Sequence, residues 1–227
     1  FEALSAPPSD TSFSSPEMLF SYAEETDRIV ELERLCRREA VMRSGRWTPR
    51  VASRLEAENP KLFLNCSAPA FTDPELCETL IALTGAVGYR PDDIVLEVTE
   101  RVAITEWQAF QTALARVRRA GLKVAIDDMG SGYSSLHAVA EIEPDYLKFD
   151  LSLILNIHRS RIKRNLLESL VLLADKISAR TIAEGLECED EFETVRRMGI
   201  EYGQGYLFAR PAPPSALDEV HFPRQVA

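Results

Sequence analysis

From about residue 60 onward the chain alternates between short apolar or β-branched runs and longer amphipathic segments. A repeated βα unit produces this pattern. Strands covered on both faces of a parallel sheet are almost continuously apolar, whereas the connecting helices carry only an apolar stripe. The runs predict strands at Leu62 to Asn65, Ile94 to Thr99, Lys123 to Asp127, Tyr146 to Asp150, Thr181 to Glu184 and Tyr202 to Leu207. Between them the spacing predicts helices over Pro74 to Leu83, Thr105 to Ala120, Ser134 to Val139, Ile162 to Ile177 and Asp190 to Met198. With the apolar stub Phe1 to Leu4 the strands number seven, one short of a (β/α)8 barrel. A doubly wound open sheet is the structural alternative, although no GxGxxG follows a strand, which disfavours its dinucleotide-binding version.

Ahead of the repeat, Pro7 to Pro16 is rich in Pro and Ser and reads as a loop, with Ser15 placed to cap a helix. Pro16 to about Ala57 is rich in Glu, Arg, Ala and Leu and predicts at least two helices, interrupted near Gly45 and Pro49. With 227 residues, 45% of them hydrophobic, one large core and a single domain over 1–227 are expected. No apolar run approaches the roughly 20 residues of a membrane span, and Phe1 opens no basic signal-peptide region. The expectation is a soluble, cytoplasmic piece of a larger protein, because apolar sequence begins at once without an initiator Met.

Lys and Arg total 26 against 36 Asp and Glu, a formal charge of −10. That balance argues against a DNA or RNA polymer as partner and requires local cations or metals for any anionic substrate. Cys36, Cys66, Cys77 and Cys188 form no CxxC pair and have no nearby ligand histidines, which argues against a zinc site or a disulfide framework and fits a reducing compartment. His137, His158 and His221 receive no chemical role.

The chemistry lies in polar residues that interrupt the apolar runs: Asn65 closing LFLN, Glu97 in LEVTE, Asp127 and Asp128 closing KVAIDD, Lys148 in YLKFD, Glu184 closing TIAE and Gln204 in YGQGY. Side chains alternate faces along a strand, so Glu97 shares a face with Thr99, and Asn65 with Phe63. Taken singly, a strand-end Asp can cap the next helix and a lone Lys can pair with a neighbouring carboxylate. Several carboxylates converging at the carboxyl ends of strands repel one another unless cations neutralise them. Oxygen donors without His or Cys favour Mg²⁺ or Mn²⁺ over zinc, and adjacent Asp127 and Asp128 suit two ions roughly 3.5 to 4 Å apart. The following segment, DMGSGYSSL from Asp128 to Leu136, reads as a mobile turn leading into a helix.

These residues fall in blocks that resemble the EAL domain family, the bacterial cyclic di-GMP phosphodiesterases: EAL at Glu2 to Leu4, LNCSAPAF, LEVTER, IDDMGSGYSSL, PDYLKFD, AEGLE and GQGYLFARP. The resemblance implies a modified (β/α)8, TIM-like barrel whose opening strand lies outside or at the start of this fragment. It also implies that Glu2, Asn65, Glu97 and Asp127 bind a first metal and Asp127 with Asp128 a second, the ions being Mg²⁺ or Mn²⁺. Lys148 would orient the attacked phosphate and water, Glu184 would act as general base, and Gln204 would assist at the edge of the site. Glu100 would anchor the turn after Asp128, and Leu4, Glu187 and Gln204 would lie on the substrate side. The implied reaction is hydrolysis of one phosphodiester of cyclic di-GMP to linear pGpG. A homodimer and attached GGDEF or sensory domains, including ones that anchor the parent protein to a membrane, are compatible with the resemblance. One departure bears on activity: the family usually places Arg two residues after the Leu of EAL, on the substrate phosphate, and here that position is Ala6. Losing such a charge-assisted pair is worth about 1.5 to 3 kcal/mol of binding. A receptor or regulatory module that binds the nucleotide without cutting it is therefore the second reading.

Overall fold

The computed structural model describes residues 1–8, 10–44, 60–99, 107–130 and 135–213. The interruptions expected near Gly45 and Pro49, the anchor Glu100, the helix starts at Thr105 and Ser134, and His221 lie outside these. The chain divides into two compact units, Phe1–Glu97 with Val102–Lys123, and Val98–Arg101 with Val124–Ala227.

In the first unit two strands and most of a third pair in parallel and in chain order. Strand β1 (Glu2–Ala3) sets Glu2 beside Phe63 of β2 (Leu62–Asn65), and β2 sets Asn65 beside Glu97 of β3 (Ile94–Thr99). Leu62, Leu64, Ile94, Val95 and Leu96 are buried, as apolar runs enclosed on both faces should be. Helices α1 (Pro16–Glu25), α2 (Ile29–Ser44), α3 (Ala68–Thr72), α4 (Leu76–Val87) and α5 (Trp107–Arg119) supply the rest. Ser15 caps α1 as expected, its hydroxyl accepting the Met18 N–H ahead of Pro16 at the first helical position.

The first helical break differs from the sequence reading. It falls at Thr26–Arg28, where Asp27 takes a left-handed φ of 56° and the Thr26 hydroxyl donates to the Tyr22 carbonyl. Asp tolerates that conformation, so no Gly or Pro was needed to end the helix. Helix α3 was not anticipated either. Its Ala-Pro-Ala-Phe-Thr sequence carries no period, and it is held by packing, with Phe71 stacked on Phe110 of α5 at 4.7 Å.

The second unit contains the rest of β4 (Lys123–Met129), with β5 (Tyr146–Phe149), β6 (Arg180–Ala183) and β7 (Tyr202–Gly203), again parallel and in chain order. Helices α6 (Ser135–Ile142), α7 (Leu151–Ile154), α8 (Arg161–Lys176) and α9 (Glu189–Arg197) follow successive strands. Neither unit inserts a strand out of chain order, the feature that marks a doubly wound sheet. The seventh strand is shorter than the expected Tyr202 to Leu207. The chain turns at Gly205, with φ 154°, and passes so close to Leu186 that a β-carbon there would sit 2.2 Å from the Leu186 carbonyl oxygen. Only glycine fits that approach. The hydrogen bond from Leu207 N–H to the same carbonyl completes the turn.

Candidate functional site

Each unit carries a group of polar side chains at its strand ends. In the first, the register that sets Asn65 beside Glu97 also allows the Asn65 amide to donate to Glu2 Oε1 at 3.3 Å. Glu97 is buried, 2% exposed, on a strand whose preceding residues are wholly apolar. The segment after Asn65 is held from below by α2. Both carboxylate oxygens of Glu33 lie 3.1 Å from the Ser67 amide nitrogen, and Arg37, one turn on, pairs with Glu33 at 2.8 Å and reaches the Cys66 sulfur at 3.8 Å. Burial pushes the Cys66 thiol up to about 12, against the opposing pull of Arg37, so it serves as a neutral, packed side chain. The sequence reading gave Glu33 and Arg37 no role, although their i, i+4 spacing was a signal for a pair.

In the second unit β4 carries an irregularity. Ala125 and Ile126 pair with Tyr146 and Leu147, but the register then shifts so that Met129 faces Phe149. The extra residue lies at Asp127–Asp128, and Asp128 has a left-handed φ of 57° with its N–H donated to Asp127 Oδ1 at 3.0 Å. A bulge of this kind redirects side chains at a strand end and recurs beside functional sites. Lys148 on β5 is 1% exposed. Its ammonium lies 3.0 Å from Asp127 Oδ1 and 2.7 Å from Glu184 Oε1 just past β6, and those two acids are only partly buried.

Ligand atoms of Asp127, Asp128 and Glu184 all lie within 4.8 Å of one another. Two of these carboxylates share the Lys148 ammonium, and the three together place oxygen atoms close to one another at the strand ends. The donor set is oxygen only, so a hard divalent cation fits it.

The remaining expected residues fall into place unevenly. Gln204 joins the loop after β6 through its backbone, its N–H donating to Ala183 and its carbonyl accepting from Leu186. Glu187 is exposed and donates its N–H to Glu191, and Leu4 is exposed. Glu2, Asn65 and Glu97 belong to the first unit and the other expected ligands to the second.

Parallel strand–helix units with acidic side chains and a buried lysine at the strand ends define an α/β protein of the TIM-like barrel class with a candidate divalent-cation site. The chain belongs to the EAL domain family, whose match covers residues 2–211. It is 29% identical over 203 residues to the cyclic di-GMP phosphodiesterase PdeR of Escherichia coli, covering 89% of this chain and 30% of that protein. It is also 30% identical over 216 residues to the uncharacterized protein y4lL of Sinorhizobium fredii, covering 95% of this chain and 25% of that one. The chain thus spans about a quarter to a third of these relatives. Among solved structures, BlrP1 of Klebsiella pneumoniae in its calcium and cyclic di-GMP complex is 31% identical with a TM-score of 0.76, covering 87% of this chain and 48% of that one. The same protein has been solved with manganese and cyclic di-GMP. The EAL enzyme Bd1971 in its cAMP-bound form is 25% identical with a TM-score of 0.85, covering 96% and 60%.

Proposed function

We propose that this domain hydrolyses one phosphodiester bond of cyclic di-GMP to give linear pGpG, using two Mg²⁺ or Mn²⁺ ions. The observation that carries the reading is the grouping of Asp127, Asp128 and Glu184 around the buried Lys148 ammonium. Phosphodiesterase relatives and cyclic di-GMP complexes within the same family support the substrate. Asp127 and Asp128 hold the ions, and the family resemblance adds Glu2, Asn65 and Glu97 as further oxygen ligands. Bound divalent ions supply Lewis acidity and charge stabilisation at the phosphodiester.

Lys148 has its chain fixed by burial and its ammonium fixed by two carboxylates. It is therefore preorganised to face the negative charge that grows on the phosphoryl oxygens. Glu184 holds a hydrogen bond to that ammonium through one oxygen, which orients its carboxylate to accept a proton from the attacking water. The 3′-oxygen leaves with a proton from solvent, giving the linear dinucleotide. Gln204, Glu187 and Leu4 are assigned to the nucleotide side, and Glu100 to anchoring the turn after Asp128.

The domain incubated with cyclic di-GMP and Mn²⁺ is expected to yield pGpG by liquid chromatography, and EDTA is expected to stop it. Nucleotide binding by calorimetry with Ca²⁺, but no product with Mg²⁺ or Mn²⁺ at high protein concentration, would replace this reading with that of a receptor.

A further inference from the structure

Away from the strand-end carboxylates, the second unit brings together three side chains from two separate segments: His158 on the 3-10 turn Ile157–Arg159, and Cys188 at the N-cap of α9 with Glu191 in its first turn. One ligand atom from each lies within 4.8 Å of the other two. Among the described residues neither ring nitrogen of His158 has a hydrogen-bond partner, and both are shut off from solvent. Leaving a buried polar atom unpaired costs about 1 to 3 kcal/mol, so an imidazole held this way calls for a ligand. Cys188 is a free thiol, hydrogen-bonded to Glu191.

We infer that His158, Cys188 and Glu191 form a binding site for a borderline-soft divalent cation of the zinc class, separate from the oxygen-only carboxylate group. An imidazole nitrogen, a thiolate and a carboxylate are the donor types that select zinc or cobalt over magnesium. A tetrahedral site with bonds of about 2.0 to 2.3 Å has ligand atoms roughly 3.5 Å apart, so rotations of about an ångström close this one. Binding replaces the thiol proton between Cys188 and Glu191 with the ion and releases that proton to solvent.

The scaffold is already in place. Glu191 Oε1 accepts the Asn156 N–H at 2.7 Å and Oε2 the Glu187 N–H at 3.2 Å, which aims the carboxylate and leaves lone pairs for an ion. Arg164 donates to the carbonyls of Ile157 and His158 at 3.2 and 2.8 Å, fixing the turn that carries the imidazole. A cavity of about 580 Å³ lined by His158, Arg164, Glu168, Thr194, Arg197 and Met198 lies beside that turn. With thiolate and carboxylate as ligands a divalent ion makes a neutral site, so the two arginines do not face an excess positive charge. A bound ion would staple the loop that runs from Glu184 to Cys188 onto the segment before α8. Cysteine and histidine spacing could not reveal the site, because its ligands are 30 and three residues apart and come from two separate segments of the chain.

The test is a Co²⁺ titration of the EDTA-stripped domain in excess Mg²⁺, read by the near-ultraviolet thiolate-to-cobalt charge-transfer band. The oxygen-only site cannot produce that band, so the outcome is independent of phosphodiesterase activity. The expected result is a band that saturates at one equivalent, is displaced by Zn²⁺ and is absent in Cys188→Ser. In His158→Ala, which keeps the thiol, the affinity should fall at least about tenfold. Circular dichroism of each variant checks that it is folded. No band in the wild type, a band that persists in Cys188→Ser, or unchanged affinity in His158→Ala would overturn the assignment.

Discussion

Replacing Lys148 with Met removes a buried positive charge at nearly constant volume and leaves Asp127 and Glu184 facing each other without their shared ammonium. At an effective dielectric of about 20, each contact, at 3.0 and 2.7 Å, represents about 5 to 6 kcal/mol of gross attraction, most of it offset by the cost of burying the lysine. Breaking a fully buried pair costs about 3 to 5 kcal/mol. The two acids here are 14% and 16% exposed and partly recover hydration, so about 2 to 3 kcal/mol is expected. For a domain of this size that lowers Tm by about 4 to 12 °C. The ion and the lysine compete for the same carboxylates, so Mn²⁺ should raise the Tm of Lys148→Met more than that of the wild type. Saturation at a hundred times Kd adds about 2.7 kcal/mol. Turnover should fall by at least about a hundredfold even with metal restored, because charge stabilisation at the phosphoryl oxygens is lost. Differential scanning fluorimetry in EDTA and in Mn²⁺, with a product assay, reads all three quantities. An equal Mn²⁺ gain in variant and wild type would refute the idea that lysine and ion share ligands.

Glu97→Gln is expected to abolish turnover with little change in Tm, since it removes one charge from the proposed ligand set at constant volume; retained activity would remove Glu97 from that set. Burial pushes the Asp93 carboxyl up, but bonds from Arg90 and Lys61 outweigh it and hold the group below its usual range. Its stabilising contribution is therefore complete above the ordinary Asp value of about 3.9 and is lost as pH falls through and below it. Asp93→Asn should be less stable at neutral pH and flatter in its acid denaturation profile, as followed by circular dichroism. Ala6→Arg should raise kcat/KM for cyclic di-GMP by roughly ten- to a hundredfold, mainly through KM, if substrate capture limits the domain.

Strands were the most legible part of the chain. The runs at Leu62 to Asn65 and Ile94 to Thr99 match β2 and β3 residue for residue, because a strand buried on both faces is apolar for its whole length and stops where it meets solvent. Terminal polar residues were legible for the same reason: Asp127 follows the buried residues Val124, Ala125 and Ile126, and Glu184 follows Ile182 and Ala183. What was not legible depended on contacts between distant segments. The turn at Asp27 needs a backbone conformation that Asp tolerates but does not announce. The early end of β7 is set by the approach of Gly205 to Leu186, and the bulge at Asp127–Asp128 appears only as a shift of register against β5.

Burial of charge alone does not identify a functional residue in this fold, and Arg37 and Lys148, both buried, show why. Arg37 pairs with Glu33, and both oxygens of that carboxylate also lie 3.1 Å from the Ser67 amide nitrogen. Such a pair ties α2 to the chain after β2. Lys148 bridges two carboxylates, and a third, Asp128, brings an oxygen within 4.8 Å of theirs, so three oxygen donors sit close enough to share one hard cation. Oxygen donors grouped in this way are drawn together when a divalent ion arrives. The grouping of several oxygen donors, rather than burial itself, marks the Lys148 group as the candidate cation site.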